Sequence, residues 1–123
     1  MAIVGIGVDV VDLARFSGVV DRTPGIIDRL FTKAEQTSAE GHQLALISLA
    51  GRFAVKEAVA KALGAPVGME WHDCEVSNGG APQISVRGSV AKVADDHGVT
   101  NWHVSLSHDG PVAIAYVIAE KVR

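Results

Sequence analysis

A helix that is apolar around most of its circumference has to be covered on nearly every side, and residues 44–63, LALISLAGRFAVKEAVAKAL, encode one. At 100° per residue, Val55, Val59 and Leu63 share one side, and Leu46, Leu49 and Phe53 are only partly offset from them. Gly64 and Pro66 end the run. Such a helix belongs at the centre of a fold, so the charges it carries, Arg52, Lys56, Glu57 and Lys61, need an explanation. Glu57 and Lys61 form an i,i+4 pair on a stripe shared with the small Ala50 and Ala54. One reading is an exposed ion pair contributing a few tenths of a kcal/mol. The other is a metal or phosphate site, with the carboxylate for a cation, the ammonium for phosphate oxygens and the alanines giving clearance. Lys56 reads as a solvated helix lysine.

A second carboxylate lies near the start of the chain. If residues 3–11 form a strand, Val4, Ile6, Val8 and Val10 share one face, and Gly5, Gly7 and Asp9 share the other. A charge within an apolar strand must be paired, hydrated or bound to a cation, because desolvating it alone is prohibitive. Pairing with a core Arg or Lys and ligation of a metal are both open for Asp9. Two carboxylates suit Mg²⁺, which keeps waters and takes other ligands from substrate phosphates. Cys74 is isolated and His103 and His108 fall in strand-like sequence, so zinc is not indicated. The Gly-x-Gly of the strand does not complete a dinucleotide fingerprint.

The remaining elements read in order. Asp12 is an N-cap for the helix LARFSGVVDR, and TPGIIDRLFTKAEQ gives one or two short helices with Pro24 near a start. HDCEVSNGGAPQISVRG reads as a hairpin turning at Asn78, Gly79 and Gly80. SVAKVADDHG is a short helix with Ser89 as its cap and Gly98 as its stop, and the tail gives two strands around Asp109-Gly110. The fold class is α+β, a mostly antiparallel sheet packed on one long helix, in a single domain spanning residues 1–123.

The chain has 11 basic and 14 acidic residues, a net charge of -3, so no overall field attracts a phosphate backbone and nucleic acid is a poor partner. The first 61 residues hold seven basic and seven acidic side chains against four and seven in the remainder, which puts any basic patch in the first half. A single cysteine excludes an intrachain disulfide, and no apolar run reaches the roughly 20 residues of a membrane helix. With no basic leader before Asp9, the expectation is a soluble cytoplasmic protein, neither exported nor membrane-bound.

Four blocks, GIGVDVVDLARF, RLFTKAE, RFAVKEAVAKALG and HVSLSHDG, occur in an order that resembles the short, free-standing 4′-phosphopantetheinyl transferases of the holo-[acyl-carrier-protein] synthase group, over residues 5–110. The resemblance implies transfer of 4′-phosphopantetheine from coenzyme A to a serine hydroxyl of an apo acyl carrier protein, with release of adenosine 3′,5′-bisphosphate, in support of fatty acid biosynthesis. It implies Mg²⁺ as cofactor on Asp9 and Glu57, with Lys61 on the pyrophosphate and Arg52 near the nucleotide phosphates. Gly80 and Pro82 match the family turn that packs near adenine, and Ser107 and His108 the strand end near the coenzyme A phosphates. For the proton of the attacking serine the sequence offers His108, Asp109 and Glu35. His108 stands first for ligand binding, and Asp109 is either a turn residue or a metal or base group. Arg15 matches a carrier-contact position, with Arg22, Arg29 and Lys33 as weaker candidates. The family's short members are homotrimers with active sites between subunits, and VAIAYVIA suits either a trimer core or an ordinary core strand. Two other classes compete: a Mg²⁺-dependent nucleotide hydrolase using the same carboxylates and Lys61, and a non-catalytic binding module whose charges are structural.

Overall fold

The computed structural model describes residues 1–77 and 80–122. The expected α+β architecture is present. Strand β1 (Ala2–Asp12) leads into α1 (Leu13–Arg22), α2 (Ile26–Leu30), α3 (Lys33–Gln36) and the long α4 (Leu46–Ala62). A 3₁₀ turn (Trp71–Asp73), β2 (Cys74–Val76), β3 (Ile84–Val86), α5 (Gly88–Asp96), β4 (Asn101–Asp109) and β5 (Val112–Lys121) follow. Both sheets are antiparallel, β1-β5-β4 and β2-β3, and α4 lies on β1 and β5.

Local chemistry sets the boundaries. Asp12 caps α1 by accepting the Arg15 N–H at 3.0 Å. Thr32 and Glu35 form a capping box on α3. Helix α4 starts two residues later than its apolar run: Leu44 donates its N–H to the Gln36 carbonyl at 2.9 Å, and Ala45 is extended as the N-cap. Ser89 is a correction: Arg87 takes the N-cap position of α5, and Ser89, inside the helix, bonds its hydroxyl to Asp73 Oδ2 at 2.7 Å. The β2-β3 hairpin forms as expected, but Asn78 and Gly79 of its turn lie outside the described residues.

The two glycines of β1 decide how sheet and helix meet. A Cβ on Gly5 would lie 1.8 Å from the Ala62 carbonyl oxygen, and one on Gly7 1.8 Å from that of Ala58. Ala54, Ala58 and Ala62 on α4, and Ala115 and Ala119 on β5, are buried in the same layer, so helix and sheet approach nearly backbone to backbone. Ala50 and Ala54 therefore supply close packing and no clearance at a ligand site. Gly7→Ala is expected to lower stability by at least about 3 kcal/mol, because backbone rather than a flexible side chain must move; thermal melting followed by circular dichroism measures it.

The opposite face of β1 is uncovered in this chain. Ile6, Val8 and Val10 point outward beside Ile118, Tyr116 and Ile114 of β5, and Ile6, Val10 and Tyr116 are each more than half exposed (58%, 54% and 55%). Val4 leaves that face, because the register shifts between Ile3 and Gly5 and Val4 packs on the core.

Candidate active site

Asp9 and Glu57 come together from different elements. The β1 alternation that turns Gly5 and Gly7 onto α4 also turns Asp9 toward it, at the point where Glu57 and Lys61 emerge. Lys61 Nζ lies 2.8 Å from Asp9 Oδ1 and 3.1 Å from the Val8 carbonyl oxygen, so its ion pair is with Asp9, not with Glu57 one turn earlier. The Glu57 carboxyl is pushed above its usual range, chiefly by burial and next by the Asp9 charge, with Lys61 opposing. Lys61 is pushed upward, first by its hydrogen bond to Asp9.

Glu57 stands on a wall between two cavities. On one side a groove of about 410 Å³ contains Asp9, Arg15 and Arg29 over an apolar floor that includes Phe16 and Phe53. On the other a cavity of about 280 Å³ contains Lys61 with Pro66, Met69 and Val90. Trp71 belongs to both and stacks at 5.5 Å on Phe53, which stacks at 5.5 Å on Phe16. Phe53 and Trp71 were missed as site residues; the i,i+4 spacing of Phe53 to Glu57 is a signal for the first.

A separate cleft of about 220 Å³ gathers Arg52, Gly80, Pro82, Ser107 and His108. The residues assigned to the nucleotide thus do converge, and they share no lining residue with the two cavities at Glu57. Ser48, one helical turn before Arg52, joins them unforeseen. Arg52 is 7% exposed and donates to the carbonyls of Glu35, at 2.7 Å, and Val76, at 3.4 Å, so it serves as wall and as brace. Asp109 ends β4 exposed, with the turn proper at Gly110 and Pro111.

Two expectations are overturned. Lys56 is not solvated: it is 3% exposed, and its ammonium meets Glu35 Oε1 at 2.8 Å and the carbonyls of Trp71 and Cys74 at 2.9 and 2.6 Å. Glu35 is no candidate base, being 0% exposed with its oxygens taken by Lys56 Nζ and the N–H groups of Thr32 and Val76. Cys74 is also inert, its buried thiol pushed up to about 12.

Among the described residues no group of three or more His, Cys, Asp or Glu side chains could hold a metal. The two oxygen donors at Asp9 and Glu57 fit a hard cation that completes its shell with water and phosphate, and the upward push that burial and the Asp9 charge exert on Glu57 is what such a cation would relieve.

Residues 5–117 match the sequence profile of the 4′-phosphopantetheinyl transferase superfamily. The chain belongs to this superfamily. A holo-[acyl-carrier-protein] synthase of Frankia alni is 56% identical over 122 residues, covering 98% of this chain and 99% of its own. The crystal structure of the Neisseria meningitidis holo-[acyl-carrier-protein] synthase superposes with a TM-score of 0.85 at 26% identity, covering 98% of this chain and 100% of that one. The Helicobacter pylori synthase in complex with coenzyme A gives a TM-score of 0.77 at 29% identity, covering 94% and 99%. The family, the α+β fold and the resemblance of the four sequence blocks agree.

Proposed function

We propose that this protein transfers 4′-phosphopantetheine from coenzyme A to a serine of an apo acyl carrier protein. The observation that carries the reading is the convergence of Asp9, Glu57 and Lys61 on a wall between two cavities, in a chain 56% identical to a holo-[acyl-carrier-protein] synthase. The serine oxygen attacks the phosphorus that carries the pantetheine arm, the bond to the bridging pyrophosphate oxygen breaks, and adenosine 3′,5′-bisphosphate leaves. Such a transfer needs positioning and charge neutralisation more than covalent chemistry. Asp9 and Glu57 would hold Mg²⁺, which would supply Lewis-acid stabilisation of the charge on the pyrophosphate. Lys61 neutralises phosphate oxygens from the adjoining cavity. The serine proton is taken by a water in the groove as the oxygen attacks. Arg52, Ser107, His108, Gly80 and Pro82 bind the nucleotide, and the Asp109 side chain has no partner among the described residues that assigns it a step. Intact-mass analysis of an apo carrier incubated with coenzyme A tests the reaction: the carrier gains one phosphopantetheine only when Mg²⁺ is present, and coenzyme A consumed with no gain of mass would make the protein a hydrolase.

The groove also supports a mode of carrier docking. Arg15 and Arg29 line it with Phe16, Val19 and Ile26, an apolar trough with cationic lips leading to Glu57, which suits an acidic carrier despite the negative total charge. Arg15→Glu is expected to raise KM for the carrier about tenfold, in the range of a lost interface charge pair, and to leave KM for coenzyme A unchanged in steady-state assays.

The separation of the nucleotide cleft from Glu57 supports a homotrimer with sites between subunits. Val10, Ile114 and Ser107 lie side by side across the outer face of the sheet, linking the strand of Asp9 to the strand of His108. A second copy seated on this apolar face, whose exposure is otherwise hard to reconcile with a monomer, brings one subunit's nucleotide cleft to another's Glu57. Tyr116→Glu is expected to give monomers by sedimentation and to lose transfer by about 10²-fold or more, the scale of misplaced substrate; a monomeric variant with full activity would refute the shared site. With a buried single cysteine and no helix among the described residues long and apolar enough to cross a membrane, we place the reaction in the cytoplasm, supplying holo carrier for fatty acid biosynthesis.

A further inference from the structure

The two roles given to this site meet at Lys61. Its ammonium holds Asp9 Oδ1 at 2.8 Å and the Val8 carbonyl at 3.1 Å, and Asp9 is also the carboxylate on which the cation depends. The Lys61 side chain is 49% exposed and that of Asp9 13%, so the lysine is the partner free to move and the aspartate is fixed by the strand. An oxygen held by an ammonium at that distance ligates a dication only by losing the ammonium or by sharing with a second positive charge a few ångströms away, and both are unfavourable. The adjoining cavity, lined by Lys61 and Ala60 from α4 and by Pro66 and Met69 from the loop beyond it, gives the side chain somewhere to go.

We propose that Lys61 is an internal competitor for Asp9, displaced onto the pyrophosphate of the donor, so that metal binding and donor binding are coupled through the transfer of one ammonium from carboxylate to phosphate. This rests on the reading of Asp9 and Glu57 as the metal site. By linkage, the donor then raises metal affinity by the same factor as the metal raises donor affinity. A protein working this way loads its cation together with its substrate, and the ion pair keeps the two carboxylates from facing each other uncompensated beforehand.

The test is Mn²⁺ binding to the full-length chain, read from the free-ion electron paramagnetic resonance signal, with and without coenzyme A, for wild type, Lys61→Met, Lys61→Arg and Asp9→Asn. Without coenzyme A, Lys61→Met is expected to bind Mn²⁺ on the order of tenfold more tightly than wild type, as follows from removing a unit charge a few ångströms from a dication in a water-like medium. Lys61→Arg, which keeps the charge, should bind like wild type, and coenzyme A should tighten Mn²⁺ binding by a smaller factor in Lys61→Met than in wild type. Without coenzyme A, Mn²⁺ binding by Lys61→Met equal to or weaker than that of wild type, or binding by Lys61→Arg as tight as that of Lys61→Met, overturns the competition while leaving the metal site standing. Undiminished binding by Asp9→Asn overturns the metal site, and the competition with it.

Discussion

Glu57→Gln is expected to lower the rate of phosphopantetheine transfer by about 10³-fold or more, while the protein melts no lower than wild type in metal-free buffer. The first half follows from the several kcal/mol that a Lewis acid supplies at a phosphoryl centre, at a factor of ten per 1.36 kcal/mol. The second follows from the carboxyl's surroundings. Burial and the Asp9 charge hold the folded-state value of Glu57 above the ordinary 4.5. The contribution of this group to stability is therefore fully present below that ordinary value and is lost as pH rises through the raised one, so at neutral pH its charge is a cost that glutamine removes. Mg²⁺ should raise the melting temperature of wild type by binding only the folded state, and the variant should lose that rise. Intact-mass assay and melting with and without Mg²⁺ read both. A folded Glu57→Gln that still transfers at near wild-type rate would remove this carboxylate from the mechanism.

Much of this site is legible in the sequence because its chemistry is written in local patterns. The alternation along β1 puts Asp9 with two glycines on one face, and helical spacing puts Glu57 one turn before Lys61. What the alternation cannot say is which face meets the core. The apolar Ile6, Val8 and Val10 turn outward and the glycine face turns in, because the helix that must be covered is itself lined with alanine and seeks close approach rather than bulk. The ion pair of Lys61 with Asp9 instead of Glu57 is likewise tertiary, since it depends on β1 passing beside the end of α4. The residues that the resemblance assigns to the nucleotide come together from α4, the β2-β3 hairpin and β4, a convergence that no local spacing could reveal.

Lys56 and Glu35 show where local reading fails. A lysine beside a glutamate on a helix looks solvated, yet Lys56 lies within the narrow arc of Leu49, Arg52, Val59 and Leu63, all of which are buried. Its three protons meet three acceptors, and a Phe31 ring lies 5.5 Å away. Glu35, reached through the capping box that starts α3, supplies one acceptor and also takes the N–H of Val76 at 2.8 Å. The pair thus ties α3 and α4 to β2, while the carbonyls of Glu35 and Val76 hold Arg52 against the cleft of Ser107 and His108.

Glu35→Ala is accordingly expected to cost about 3–5 kcal/mol, the usual penalty for stranding one member of a buried ion pair. That corresponds to a fall in melting temperature of roughly 10–25 °C for a domain of this size. Lys56→Met should cost a similar amount by stranding the carboxylate. The double variant Glu35→Ala/Lys56→Met leaves neither charge behind, so its loss should fall short of the sum of the single losses by at least about 2 kcal/mol, as residues in one network do. Additive losses in denaturant titration would mean that the two side chains stabilise the fold independently and that the network behind Arg52 is two unrelated contacts.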